Sequence, residues 1–198
     1  MRPAPSRLCN GDLLRREFAR LARVTWLFGY GSLVWRPAMP FRQRRPGSIT
    51  GWSRRFWQRS PDHRGTPEAP GRVVTLIAAP GERCFGMAYQ IDGGVIEDFL
   101  TQLDYRERAG YERLTERVTF ADGAGADALV YIAGPGNPNF TGDRPLEEIA
   151  AIVHASSGPS GSNREYVIEL AQALRAMDAD DAHLFALDDL VRSYSLSQ

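Results

Sequence analysis

Apolar and polar positions follow two different periods along this chain, and the change of period divides it. Trp26-Leu27-Phe28 is an apolar run closed by Gly29-Tyr30-Gly31-Ser32, which predicts a buried strand delivering a tight loop. Residues 48–58 mix aromatics with a β-branched pair and read as a second strand. Residues 72–78 and 84–91 are strand-like runs either side of Pro80-Gly81, so an antiparallel hairpin turning at that dipeptide is expected. Residues 114–120 and 128–132 form another strand pair around a glycine-containing turn at 122–125. Helical spacing occurs at 12–21 and at 95–103, and it takes over in the last third. There Pro145 opens one helix with Glu147 and Glu148 in its first turn, where the dipole favours negative charge. Ser162-Asn163-Arg164-Glu165 is a capping box for the next, whose apolar face is Tyr166, Leu170, Leu174 and Met177. A final helix presents Leu184, Leu187, Val191 and Tyr194.

Strands therefore dominate residues 26–132 and helices residues 143–194, which favours an α+β domain with a largely antiparallel sheet or small barrel. Three stretches break the regular structure. Pro37 and Pro40 stand too close together for a ladder, and residues 60–71 are so rich in Pro and Gly that they form an ordered loop or a mobile lid. Residues 133–139 make a second ordered loop. The βαβ repeat of a dinucleotide fold is missing, and Val34 stands where its third glycine would fall.

Length and composition narrow the function. A chain of 198 residues, 43% hydrophobic and 24% charged, fits one compact domain with a real core. Its 24 basic residues balance 24 acidic ones, so bulk attraction to nucleic acid is not indicated. No apolar run is long enough to span a bilayer, and the N-terminal residues lack a signal peptide's apolar centre. Cys9 and Cys84 have no metal-ligand spacing around them, and reduced thiols in a cytoplasm are expected. Every basic residue is arginine, which excludes a Schiff-base lysine and a phosphate-loop lysine.

Among candidate nucleophiles, Ser32 has no Gly-x-Ser-x-Gly frame. His63, His154 and His183 are scattered, read as surface or capping residues, and make no zinc site. Two readings stand for Gly29-Tyr30-Gly31-Ser32: a plain strand-to-turn junction, or a loop whose backbone N–H groups can cradle an oxyanion or a carboxylate. Glu107, between two arginines at the end of a helical run, is either a solvated surface charge or a carboxylate drawn inward by Tyr105 and Tyr111. Burial would lift its pKa and make it a usable base.

Four segments in one order carry a resemblance: residues 28–35, the block from Arg54-Arg55-Phe56-Trp57-Gln58 to Arg72-Val73-Val74-Thr75-Leu76, Tyr105-Arg106-Glu107, and Gly158-Pro159-Ser160-Gly161 with Asn163, Glu165 and Tyr166. Together they resemble the ChaC family of γ-glutamylcyclotransferases over residues 26–195, a single domain preceded by an extension at 1–25. The resemblance implies a γ-glutamylcyclotransferase-like fold, a small mixed or antiparallel β-barrel with surrounding helices. It implies a lyase that converts glutathione to 5-oxoproline and cysteinylglycine without a cofactor or an obligatory protein partner. Carried over by position, Glu107 is the general acid/base, and Tyr30, Gly31, Ser32 and Leu33 grip the glutamyl group. Arg72 and Tyr166 are secondary expectations, the first as a cation for a substrate carboxylate and the second as a hydroxyl near Glu107. The alternative readings are Arg72 as a residue flanking a strand and Tyr166 as a core residue.

Two rivals remain. A cyclotransferase for other γ-glutamyl amino acids or amines would use the same glutamyl end, differing at residues 60–71 and Arg72. A non-catalytic module binding single-stranded nucleic acid is suggested by Arg42, Arg44, Arg45, Trp52, Arg54, Arg55, Phe56, Trp57 and Arg59.

Overall fold

The computed structural model describes residues 25–37, 39–91 and 111–194. The predicted helices at 12–21 and 95–103, Cys9, Tyr105 and Glu107 lie outside the described residues. Five strands close into a barrel: β1 (Thr25–Gly29), β2 (Gln43–Ser60), β3 (Gly71–Ile91), β4 (Glu112–Phe120) and β5 (Gly125–Ile132), in the spatial order β1-β3-β2-β4-β5. Neighbours run antiparallel except at the closure, where β1 lies parallel to β5 through Trp26↔Ala128 and Leu27↔Leu129. Three helices follow: α1 (Leu146–Ala155), α2 (Asn163–Arg175) and α3 (Ala182–Ser193). A two-residue ladder, β6 (Ser157–Gly158) with β7 (Gly161–Ser162), joins α1 to α2.

β1 is apolar without alternation because both of its faces are covered. Successive strand residues point to opposite sides, and Phe28 enters the main core while Leu27 enters a second cluster with Met39, Met87, Tyr89, Ile91 and Leu129. The main core is continuous from the barrel (Ile49, Phe56, Leu76, Val118, Val130) into the helices (Ile149, Val153, Val167, Leu170, Leu174, Leu184, Leu187, Val191). Asp188, fully buried on α3, accepts Arg175 Nη1 at 2.6 Å and Arg192 Nε at 2.9 Å, tying α2 to α3 through one carboxylate.

The hairpin expected at Pro80-Gly81 does not form. Residues 72–78 and 84–91 belong to one long strand, β3, and both pair with β2 in a register running from Gln43↔Gln90 to Ser60↔Gly71. Pro80 and Gly81 sit where the ladder shifts register between Thr50 and Trp52, opposite Gly51. Gly51 and Gly81 have φ of +89° and +86°, so a bulge between two left-handed glycines absorbs what reads locally as a turn. The chain reverses instead at residues 61–70.

Both termini of that reversal are held. Ser160 N–H bonds His63 O at 2.9 Å, and Thr66 N–H bonds Ala69 O at 3.1 Å. Of the two expectations for residues 60–71, the ordered loop is the one found. In the last third, Pro145 caps α1, and Ser162 Oγ accepts the Glu165 N–H at 3.1 Å, one half of the expected capping box. The Glu165 carboxylate pairs with Arg64 at 3.1 Å. Tyr194 caps α3 with an exposed ring that stacks on His154 at 5.3 Å, so it leaves the apolar face.

Candidate active site

The loop after β1 is shaped by a single 3₁₀ turn, Ser32–Val34, in which Val34 N–H bonds Gly31 O at 2.9 Å and Arg36 N–H bonds Ser32 O at 2.8 Å. The opening N–H groups of such a turn have no carbonyl within it to bond. Ser32 is exposed, whereas Tyr30 is buried. Buried side chains from the barrel hold the loop from beneath. Arg54 Nε donates to Tyr30 O at 2.9 Å, Tyr30 Oη donates to Tyr131 O at 2.6 Å, and Tyr89 Oη donates to Leu33 O at 2.5 Å.

Arg54 is the anchor of this arrangement and is only 2% exposed. Beyond Tyr30, its guanidinium donates to the Phe85 carbonyl and pairs with Asp181 Oδ2 at 2.6 Å. Asp181 in turn caps α3, its Oδ1 accepting the Leu184 N–H at 3.0 Å. One buried ion pair thus joins the glycine loop, β3 and a helix N-terminus.

Tyr166 closes the other side. It lies one turn into α2 and is 5% exposed, and a β-carbon on Gly31 would stand 2.8 Å from its hydroxyl oxygen and 3.1 Å from Val74 Cγ2. Only glycine lets the loop approach this closely. Burial raises the Tyr166 pKa above the usual phenol range, against a hydrogen bond from the Val74 backbone and the fields of Arg54 and Arg64. Burial also raises Tyr30, with Tyr111 and Tyr166 adding to the effect. Both phenols therefore stay neutral and act as hydrogen-bonding hydroxyls, not as bases.

Arg72 reaches the same region from β3. Its N–H donates to Asn163 Oδ1 at 2.6 Å and its carbonyl accepts from Asn163 Nδ2 at 2.7 Å. Asn163 is fully buried at the start of α2, three residues before Tyr166 and so on the same helix face. Arg64, 4% exposed, bonds Ser162 O at 3.0 Å and carries its guanidinium 5.5 Å from the Tyr166 ring centroid.

His183 is neither a surface nor a capping residue. It stacks on Phe56 and accepts the Phe56 N–H on Nε2 at 3.2 Å, and burial with nearby Arg55 lowers its pKa to about 4. A neutral ring whose acceptor nitrogen is already occupied is a poor general base. Cys84 is a free, buried thiol pushed up to about 11 by burial.

The structure thus brings Tyr30, Gly31 and Tyr166 together, with Ser32 and Leu33 on the adjoining turn and Arg72 two residues along the strand from Val74. Glu107 lies outside the described residues. Sequence reasoning named Arg54 and Asn163 but missed the roles the structure gives them, Arg54 as a buried partner of Asp181 and Asn163 as a bridge to the Arg72 backbone, and did not name Asp181. A signal existed for the first: strand alternation places Arg54 on the face of Phe56, so if that aromatic is core the arginine must be buried and paired.

A family model described as "ChaC-like protein" matches residues 25–194. The chain belongs to the ChaC-like family. It is 43% identical over 171 residues to glutathione-specific gamma-glutamylcyclotransferase 1 of Danio rerio, covering 82% of this chain and 86% of that one. It is likewise 43% identical over 176 residues to gamma-glutamylcyclotransferase 2-3 of Arabidopsis thaliana, covering 84% and 88%. The crystal structure of a yeast γ-glutamyl cyclotransferase specific to glutathione superposes with a TM-score of 0.78 at 31% identity, over 86% of this chain and 96% of that one. The ChaC-like barrel and its flanking helices are thus a γ-glutamylcyclotransferase fold. Among the described residues no helix is long and apolar enough to cross a membrane.

Proposed function

We propose that this protein cleaves glutathione to 5-oxoproline and cysteinylglycine. The observation that carries the choice of reaction is its 43% identity, over 82% of its length, to a relative named for that activity. The loop geometry supports it. The α-amine of the γ-glutamyl group attacks its own γ-carbonyl, a five-membered ring closes, and the bond to the cysteinyl nitrogen breaks. No water is consumed and no external nucleophile is needed.

The protein's tasks are to hold the glutamyl chain curled, to take two protons from the α-ammonium as it becomes the lactam N–H, returning one to the departing nitrogen while the other goes to the released amine or to solvent, and to stabilise the oxyanion between attack and departure. Tyr30, Gly31, Ser32 and Leu33 form the glutamyl cradle, with backbone N–H groups of the 3₁₀ turn as donors. Tyr166 supplies a neutral hydroxyl at the Gly31 contact, and Arg72 a cation for a carboxylate. Glu107 is the proton carrier. A carboxylate in that role is compatible with the neutral phenols of Tyr30 and Tyr166 and with the His183 ring nitrogen already accepting the Phe56 N–H.

Two arginines behind the nucleic-acid reading already have carboxylate partners within the chain: Arg54 pairs with Asp181 in the interior, and Arg45 pairs with Asp122 at the surface at 2.7 Å while lying 3.9 Å from the Phe120 ring centroid. This weakens a basic, aromatic binding surface.

Incubation with glutathione alone, with 5-oxoproline read by mass spectrometry, tests the proposal beside Glu107→Gln. The wild type should form product, and the variant should remain folded, bind glutathione and turn over at least ~10²-fold more slowly. Product from the variant at the wild-type rate removes Glu107 from the mechanism. Product from γ-glutamyl amino acids but not from glutathione replaces the substrate.

A further inference from the structure

Among the described residues, the β3 face that meets the glycine loop ends in charge without a counter-ion. Alternation puts Arg72, Val74 and Leu76 on one face. Leu76 stands opposite Arg54, which holds Tyr30, and Val74 lies against Gly31, so Arg72 is the next position along the site. Its cross-strand partner is Arg59. The Arg72 N–H and carbonyl both turn to Asn163, and the Arg59 N–H turns to Asn139 O at 2.9 Å. Backbone groups facing away from the partner strand mark a non-hydrogen-bonded pair, in which side chains approach most closely.

Two like charges in such a pair repel. Arg144, from the loop before α1, adds a third: burial first, then Arg59 and Arg144, lower the Arg72 pKa. Among the described residues none of the three has an acidic partner, the recorded ion pairs going to other arginines. Among these described residues Arg72 Nη1 reaches only the carbonyls of Gly71 at 3.1 Å and Pro70 at 3.5 Å, and its buried Nε has no partner.

We propose that Arg59, Arg72 and Arg144 form a carboxylate subsite that takes the C-terminal carboxylate of the tripeptide and so selects γ-glutamyl substrates with an acid at the far end. This rests on the proposed reaction. The scale agrees: same-face neighbours on a strand are about 6.6 Å apart, which puts Arg72 one such step beyond the Gly31 contact. From the scissile carbonyl to the far carboxylate the substrate spans two residues, about 7 Å when extended. The negative charge relieves a repulsion that the empty face must bear.

The test compares kcat/KM for glutathione and for its C-terminal amide in the wild type, Arg59→Gln and Arg144→Gln. Both side chains are exposed, so the variants should fold, and a thermal melt checks this. The wild type should prefer the acid by about tenfold, the scale of charge-assisted hydrogen bonds, and added salt should erode the preference. Each substitution should lower kcat/KM for the acid about three- to tenfold, with less effect on the amide. A wild type indifferent to the terminal charge, or variants that keep the full preference, overturns the subsite and leaves the reaction standing. A wild type that opens neither compound overturns the reaction, and the subsite with it.

Discussion

Two regions of the β2–β3 ribbon use glycine for opposite reasons. Where the ribbon meets the loop and α2, glycines are crowded: a β-carbon on Gly31 would stand 2.8 Å from the Tyr166 hydroxyl, and one on Gly71 2.5 Å from both Arg64 O and Asn163 Oδ1. Midway along the ribbon, Gly51 and Gly81 have nothing within 4 Å of a β-carbon but carry φ of +89° and +86°. The crowded glycines are there for close approach, and the open ones for backbone shape. Substitution should therefore cost function at one region and a modest amount of stability at the other.

The largest expected effect comes from unpinning the crowded region. Arg54→Met removes the counter-ion of Asp181, whose side chain is only 10% exposed. Breaking a buried pair in this way costs about 3–5 kcal/mol. Urea unfolding should show that loss together with a fall in turnover, because the Tyr30 carbonyl loses its donor. A variant as stable as the wild type would mean that the buried pair does not hold the loop.

A smaller effect separates the neighbouring helix contact by pH. His183 has a folded pKa of about 4, below its ordinary value near 6.5, so the unfolded chain takes the proton more readily. Its contribution is full above pH 6.5 and is lost progressively as pH falls toward 4. His183→Gln should flatten the slope of unfolding free energy between those values. An unchanged slope would place the acid sensitivity elsewhere.

These contrasts also show what could be read from residues alone. The α+β character, the buried strand leading into the glycine loop and the helices opening at Pro145 and Ser162 were legible, because period and caps are local properties. Pro80-Gly81 was misread because a Pro-Gly turn and a Pro-Gly bulge look alike until Gly51 is seen opposite. The candidate residues Tyr30, Gly31 and Tyr166 could be named, but their meeting depends on a barrel closed by β1 and β5. The Arg54–Asp181 pair joins residues far apart in the chain and needed the fold. Arg72 could be named as a cation, whereas its position opposite Arg59 follows from a register set by the reversal at 61–70.

The most direct measurement compares Gly31→Ala with Gly81→Ala, taking kcat/KM for glutathione and the unfolding midpoint of each. The account predicts at least ~10²-fold loss of kcat/KM in Gly31→Ala, since a misplaced cradle forfeits positioning and oxyanion donors. Gly81→Ala should lose about 1–2 kcal/mol of stability from strained backbone and keep its turnover. Near-normal turnover in Gly31→Ala, in a preparation that makes 5-oxoproline from glutathione, would contradict the placement of the active site at this loop.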